Sequence, residues 1–234
     1  MTAQEWNITL FTAGIAGLST LCILPLGLLA AWALAKYDWP GKSFVETFLA
    51  LPLVMPPVAT GLILLELLGR RGLIGGWLHR VFDLDIAFTW RGVLIATATM
   101  SFPLLVRALR TGFEEVSKEY EDAARVEGGS GPQILWHVVL PLSRRSMAAG
   151  LIQAYARALG EFGATVMLAG NIPGRTTTIS LAIYQHVQMG RDASAYRLLL
   201  LSVVIAFVAI WISEYFFNPA RVHRLDERRI RASN

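Results

Sequence analysis

Charged residues are the scarcest class in this sequence, and their scarcity decides the broad type of protein. Only 16% of the 234 residues are Asp, Glu, Lys or Arg, whereas 54% are hydrophobic; a soluble domain usually has about 25% charged residues. None of the four charged types occurs in residues 6–35, and a helix needs only about 20 apolar residues to cross a bilayer. The composition therefore excludes a soluble enzyme and predicts an all-α integral membrane protein.

Several chemistries are excluded because their residues are missing. Cys22 is the single cysteine, so neither an internal disulfide nor a cysteine-based metal site can form. The four histidines are scattered and no H-E-x-x-H sequence occurs, which argues against a zinc site. A P-loop would need glycine five residues before Gly41-Lys42-Ser43, but Lys36 stands there. We therefore expect no catalytic residue, metal, bound cofactor or ATP on this chain.

Stretches with few charges predict five membrane spans within one transmembrane domain, residues 1–234. The spans are expected at about residues 8–35, 47–68, 91–110, 146–169 and 197–217. Residues 176–189 are apolar but too short to cross, so they are interpreted as a re-entrant or interfacial helix. A sixth span is the alternative, if this segment crosses the membrane or if the first span is divided into two. The prolines within 51–57 predict a broken helix near a transport pathway.

The distribution of Lys and Arg predicts the orientation of these spans. Alternate connections carry 13 basic residues on one side and 7 on the other, and the richer side is normally cytoplasmic. The N-terminus is therefore expected outside and the C-terminus in the cytoplasm. The 13 basic residues are Lys36, Lys42, Arg107, Arg110, Lys118, Arg125, Arg144, Arg145, Arg221, Arg224, Arg228, Arg229 and Arg231. In a membrane protein this basic excess marks cytoplasmic loops, so no nucleic-acid partner is expected.

The cytoplasmic loop, residues 111–145, is the most informative segment. Apolar or small residues recur at helical spacing between Phe113 and Ala124 and predict an amphipathic helix. The helix should end at the glycines of 128–131, which are followed by Pro132. So long and ordered a loop on the cytoplasmic side indicates a docking surface, with a merely solvated loop as the alternative.

The motif in this loop resembles the EAA loop of ABC importer permeases. An acidic residue, two alanines, a glycine and a later aliphatic-x-Leu-Pro stand at the family's spacing, with Asp and Val in place of the usual Glu and Ile. The matching residues, which the resemblance assigns to coupling with a cytoplasmic ATPase, are Asp122, Ala123, Ala124, Gly128, Val138, Leu140 and Pro141. The resemblance covers essentially the whole chain and implies a type I ABC importer permease fold in the bacterial plasma (inner) membrane.

Residues 158–176 narrow the resemblance to molybdate permeases, with the sulfate/thiosulfate permeases as close relatives. Ala156, Gly160 and Ala164, in and just before this stretch, form a small-residue stripe suited to close helix packing. The substrate is therefore expected to be molybdate, with sulfate, thiosulfate or tungstate as the alternatives. A membrane-embedded enzyme or a passive channel is disfavoured, since no polar catalytic set is present and a channel needs no docking loop.

Four polar residues are candidates for the translocation path or its gate. Arg157 and Glu161 stand four residues apart inside the fourth span, so they either line the path or pair with each other to fix the helix. Asn171 and Arg175 follow that span, where a cation and an amide suit a dianion. The alternative is that they are an ordinary loop cap and an arginine at the membrane interface.

The resemblance also implies a set of partners. A single chain with five spans encloses too little to form a pore, so a homodimer of permease subunits is expected. The further partners are a dimer of cytoplasmic ABC ATPases, which would hold ATP and magnesium, an extracytoplasmic molybdate-binding protein that docks on the outer loops, and membrane lipid.

Overall fold

The computed structural model describes residues 2–217, and every regular element within that range is helical. The elements are α1 (Ala3–Lys36), α2 (Lys42–Val54), α3 (Pro57–Leu68), α4 (Leu73–Phe82), α5 (Trp90–Glu114), α6 (Lys118–Val126), α7 (Gly131–Ile134), a π-helical segment (Leu135–Val139), α8 (Leu140–Leu142), α9 (Arg144–Leu159), α10 (Gly163–Leu168), α11 (Ile179–Gln188) and α12 (Asp192–Phe217). The five arginines expected in a cytoplasmic tail, within 221–231, lie outside the described residues.

Within residues 2–217, three helices are individually long and apolar enough to cross a membrane. They are α1, α5 and residues Asp192–Ile212 of α12, and they correspond to the first, third and fifth predicted spans. The helices α2 and α3 meet the same test as a pair, at the second predicted span. The segment predicted to be too short to cross contains the ten-residue helix α11. The count of five spans stays a prediction.

The second predicted span is broken where adjacent prolines follow α2. The two halves are bent by 110° between Val54 and Pro57. Neither Pro56 nor Pro57 can donate a backbone hydrogen bond, so the α-helical ladder cannot continue across this point. This confirms the broken helix predicted from the proline-rich segment. By contrast, α1 and α5 each continue through an internal proline, Pro25 and Pro103.

The fourth predicted span, 146–169, is also divided, which the sequence interpretation did not anticipate. The helix α9 ends at Leu159, and α10 begins only at Gly163. The Glu161 carboxylate, two residues before α10, accepts a hydrogen bond from the backbone N–H of Ala164 (2.9 Å) and so satisfies one of the free donors at the start of this helix. The predicted small-residue stripe on one face of a continuous helix is therefore wrong, because Ala164 belongs to a different helix from Ala156.

Close packing against α5 organises the interior. This helix packs against both α1 and α9. A Cβ atom on Gly150 would lie 2.8 Å from Cβ of Ala108, and one on Gly112 would lie 2.4 Å from Cβ of Ser146. Small residues let membrane helices approach closely, since lipid tails give no hydrophobic drive for their association. The glycines of α5 and α9 therefore fix the distance between these two helices.

The two helix breaks pack directly against each other. A Cβ atom on Gly163 would lie 2.7 Å from Cβ of Pro57 and 3.1 Å from the backbone nitrogen of Val58. One turn further, a Cβ atom on Gly61 would lie 2.7 Å from Cα of Ala164. The helices α3 and α10 thus cross in backbone contact immediately after their respective breaks.

Candidate functional site

The predicted docking loop, residues 111–145, contains a helix that ends where the sequence predicts. The helix α6 starts after Ser117, whose hydroxyl accepts the N–H of Glu119 (3.3 Å). It ends at Val126, and Gly128 follows with φ +88°. This left-handed conformation costs other residues about 1–2 kcal/mol, which explains the glycine of the motif.

An ion pair attaches α6 to the body of the protein. The ammonium group of Lys36, at the end of α1, pairs with the Glu121 carboxylate and also donates to the carbonyl of Phe113 (2.7 Å). Their side chains are only 13% and 7% exposed, respectively. Sequence reasoning missed this contact, because 85 positions separate the two residues and no local spacing indicates the pairing.

The outward side of the docking loop carries exposed apolar residues. Tyr120 and Val126 of α6 and Trp136 of the π-helical segment are 60%, 89% and 64% exposed, respectively. Beside them lies a groove of about 370 Å³, whose lining includes Ala124 and Gly128. Exposed apolar patches bordered by polar residues are typical of interaction surfaces. The apolar side of α6 therefore faces outward, while the acidic Glu121 faces the body.

The remaining motif residues take different positions in the loop. Asp122 and Ala123 are exposed, and Asp122 pairs with Arg125 (3.2 Å). Val138 is half-buried, Leu140 is buried and Pro141 is exposed. The π-helical segment ends directly before Leu140-Pro141; since Pro141 has no N–H, the preceding turn cannot be completed as an α-helix.

The predicted Arg157–Glu161 pair forms, at the break between α9 and α10. Arg157 Nη1 lies 2.7 Å from Glu161 Oε2, while Oε1 of the same carboxylate accepts the N–H of Ala164. The Glu161 side chain is 1% exposed, and the Arg157 side chain is 29% exposed. Both oxygens of the buried carboxylate are thus occupied within the chain, and only the guanidinium has an accessible surface.

Asn171 and Arg175 lie away from that pair, in the loop between α10 and α11. Asn171 Oδ1 accepts the hydroxyl hydrogen of Thr177 (2.7 Å), and Asn171 Nδ2 donates to Gln185 Oε1 of α11 (3.0 Å). Arg175 is exposed and lines two cavities that neither Arg157 nor Glu161 lines. The structure therefore divides the four candidate pathway residues into two separate places.

A salt bridge orders the connection between α3 and α5. The guanidinium of Arg70 bonds both oxygens of Asp85, with Nε 2.8 Å from Oδ1. This hydrogen bond lowers the pKa of Asp85 below its usual range. Asp85 thus stays ionised at neutral pH.

Comparison with known proteins identifies the family. Residues 23–221 match the model of the "binding-protein-dependent transport system inner membrane component" family. The chain is 41% identical to the molybdenum transport system permease protein ModB of Escherichia coli K12, over 94% of this chain and 97% of that protein. It is 36% identical to the sulfate transport system permease protein CysT of the same organism, over 78% and 65% of the two chains.

A solved structure has the same fold. The chain resembles a bacterial ABC transporter involved in the import of the acidic polysaccharide alginate, with a TM-score of 0.71 and 17% identity, over 92% of this chain and 79% of that chain. The type I importer permease fold expected from the EAA-like motif is thus supported by an independent structural match. The sequence family and the fold agree over most of the chain, which therefore belongs to the binding-protein-dependent transport system inner membrane components.

Proposed function

We propose that this chain is the membrane-spanning subunit of an ATP-driven ABC importer that carries molybdate across the bacterial inner membrane. The observation that carries the proposal is the similarity to the E. coli molybdenum permease, which extends over 94% of this chain. The similarity to sulfate permeases is lower and covers less of those proteins. Sulfate, thiosulfate or tungstate are the alternative substrates of the same site.

The docking loop is the proposed point of contact with the ATPase. Tyr120 and Val126 offer apolar surface beside the groove lined by Ala124 and Gly128. The ion pair between Lys36 and Glu121 connects this surface to α1. Movement of a docked ATPase would therefore be transmitted to the first span through a buried, charged contact. ATP would be hydrolysed in that separate subunit and not by this chain.

The proposed orientation places the docking loop in the cytoplasm, the N-terminus outside and the C-terminus inside. Among residues 2–217, eight of the predicted cytoplasmic Lys and Arg residues and seven of the predicted outer ones are described. Five of the six residues of excess on the cytoplasmic side are thus the arginines beyond position 217. A basic C-terminal tail next to a span favours this orientation by the positive-inside rule.

The crossing of the two helix breaks is the proposed centre of the translocation path. Broken helices are tolerated at membrane depth where protein or a watery cavity satisfies the backbone. Here Glu161 satisfies the start of α10, and the partly exposed Arg157 supplies a cation at the same level. We assign Glu161 a positioning role and Arg157 the contact with the passing anion. Asn171 and Arg175 belong to the outer mouth.

The assembly is proposed to contain two copies of this chain, two ATPase subunits and a molybdate-binding protein on the outer face. The connection between α3 and α5 and the loop before α11 would receive the binding protein. A related solved structure is of an alginate ABC transporter in complex with an alginate pentasaccharide-bound periplasmic protein, which supports a partner of this kind for the family.

Transport by reconstituted vesicles tests the proposed substrate. Vesicles that contain the permease, its ATPase and the binding protein should take up labelled molybdate only when ATP is present with the ATPase. A tenfold excess of sulfate should leave this uptake nearly unchanged. Effective competition by sulfate at equal concentration would replace molybdate with sulfate as the substrate.

Coupling is tested at Gly128. In Gly128→Asp, a side chain is forced into a backbone with φ +88° beside the groove, so we expect weaker ATPase association and lower molybdate-stimulated hydrolysis. Gly190→Asp is the matched control, since Gly190 has φ +68° and, like Gly128, open space around an added Cβ atom. Equal ATPase association in both variants would remove the docking role of this loop.

A further inference from the structure

A basic cavity lies at the end of the molecule opposite the docking loop. It has a volume of about 350 Å³ and lies between the start of α1, the loop before α11, and α11. Arg175, Arg191 and His186 line it together with Gln4, Asn7 and Gln185, and no Asp or Glu is among its lining residues. The cavity is therefore positive and rich in hydrogen-bond donors.

The two arginines of this cavity are not committed to other groups in residues 2–217. Neither the Arg175 nor the Arg191 guanidinium has an ion pair or a side-chain hydrogen bond there. At the same end of the molecule, Arg70 is paired with Asp85 and Arg197 with Glu5. Free guanidinium groups in a cavity can bind an oxyanion in a bidentate manner.

A chain of hydrogen bonds directs a further donor toward the cavity. The Thr177 hydroxyl donates to Asn171 Oδ1 (2.7 Å), which leaves the Asn171 amide group to donate to Gln185 Oε1 (3.0 Å). Since its oxygen accepts from Asn171, Gln185 has both hydrogens of its NH₂ group available to donate to an anion. Asn171 is thus a positioning residue for a donor set, and it does not itself need to touch the anion.

The neighbouring cavity does not have this character. Arg175 also lines a cavity of about 730 Å³ next to the connection between α3 and α5. Glu66 and Asp85 are among the lining residues of that second cavity, and the ionised carboxylate of Asp85 would repel an anion. The smaller cavity is therefore distinguished by the absence of a carboxylate from its lining residues.

We propose that the smaller cavity is a binding site for one tetrahedral oxyanion, held by Arg175, Arg191 and the Gln185 amide. The anion is either the free transported oxyanion or the phosphate of a lipid headgroup, which present the same acceptor oxygens. The identity of the ligand as the transported oxyanion rests on the proposed function. A free anion held here would be retained at the outer mouth, apart from the Arg157–Glu161 pair.

Direct binding to the complete permease–ATPase complex, without binding protein or ATP, tests the proposal. Labelled molybdate is the probe for the free anion, and native mass spectrometry detects phospholipid that stays bound. Loss of one charged hydrogen-bond donor should weaken binding by about tenfold or more. We therefore expect this loss in Arg175→Gln and in Arg191→Gln. Arg80→Gln is the control, since Arg80 is exposed in α4 and does not line the cavity.

The outcomes distinguish a free anion from a lipid phosphate, and the proposed site from the proposed function. Weaker molybdate binding in both variants, but not in the control, supports the site and a free anion. Loss of a retained phospholipid in both variants supports the site and a lipid phosphate. If neither changes, the site is refuted. Molybdate uptake is measured separately with the same complex in vesicles, supplied with binding protein and ATP. If the wild type takes up molybdate but no anion binds in the cavity, only the proposed site is overturned and the proposed function stands.

Discussion

The contact between Lys36 and Glu121 should control how firmly the helix α6 is held to the end of α1. In Glu121→Gln the side-chain shape is kept, but the negative charge that faces the ammonium group is removed. Since the two side chains are only 13% and 7% exposed, solvent cannot fully replace the lost partner. We expect α6 to detach from the end of α1 more often, while the rest of the fold is retained.

The expected magnitude follows from the burial of the pair. Removal of one partner of a buried ion pair costs about 3–5 kcal/mol, and a hydrogen bond to a charged group contributes about 1.5–3 kcal/mol. Lys36 keeps its bond to the Phe113 carbonyl (2.7 Å), and Gln can still accept a neutral hydrogen bond. We therefore expect a loss of about 2 kcal/mol, which is about 30-fold in the equilibrium between attached and detached α6.

Hydrogen exchange of residues 118–126 measures this equilibrium directly. Their amides should exchange about 30-fold faster in Glu121→Gln than in the wild type. Glu119→Gln is the matched control, because Glu119 lies on the same helix and is exposed. It loses only the favourable interaction of a charge with the helix start, about 0.3–1 kcal/mol. In the same samples, ATPase association should weaken in Glu121→Gln and hardly change in the control.

A double substitution separates the ion pair from a general loss of stability. Lys36→Met combined with Glu121→Leu removes both buried charges, so exchange should return toward the wild-type rate. The reasoning is refuted if Glu121→Gln and Glu119→Gln exchange at the same rate in residues 118–126. It is also refuted if the double variant exchanges faster than Glu121→Gln.

Two further predictions concern the helix crossing and the connection between α3 and α5. Gly163→Ala should lower the free energy of unfolding by about 1–3 kcal/mol, because its Cβ atom would meet Pro57 at 2.7 Å. Gly14→Ala is the control and should not lower it, since no atom lies within 4 Å of the added Cβ atom. Thermal unfolding in detergent compares the two variants. Arg70 lowers the pKa of Asp85. The stability that ionised Asp85 contributes is therefore complete above the pKa of this group in the unfolded chain. It is lost as the pH falls through the lower pKa in the folded protein. His79 Nδ1 also lies 3.2 Å from Asp85 Oδ1, so the comparison is made in a His79→Gln background. There the difference in melting temperature between the parent and Asp85→Asn should shrink as the pH falls below about 4; a difference that stays constant from about pH 5 to 3 would contradict this.

Local patterns were sufficient for the features that depend on neighbouring residues. The proline pair at 56–57 predicts the break after α2, since the missing donors act within one turn. The glycine at 128 predicts the end of α6 for a similarly local reason. The break after Leu159 was not predicted, because the new helix start depends on how a buried Glu161 carboxylate is turned toward the Ala164 N–H.

The sequence also predicted one contact between polar side chains, but not the backbone around it. Arg157 and Glu161 form the predicted pair, yet the helix break beside them became visible only in the structure. Asn171 stays a candidate for the outer mouth, but the structure adds that its amide group donates a hydrogen bond to Gln185. A sequence gives the chemical type of a side chain, but its free donors depend on the partners that folding supplies.

By itself, the sequence determined that this is a membrane protein and where the helix α6 ends. Thirty residues without charge require a bilayer, and the docking helix follows from spacing and glycine conformation. Tertiary structure alone decided that Lys36 holds Glu121, that Pro57 meets Gly163, and that Arg175 shares a cavity with the start of α1. The physical reason is that lipid tails are as apolar as leucine, so a face that meets lipid and one that meets another helix have the same pattern.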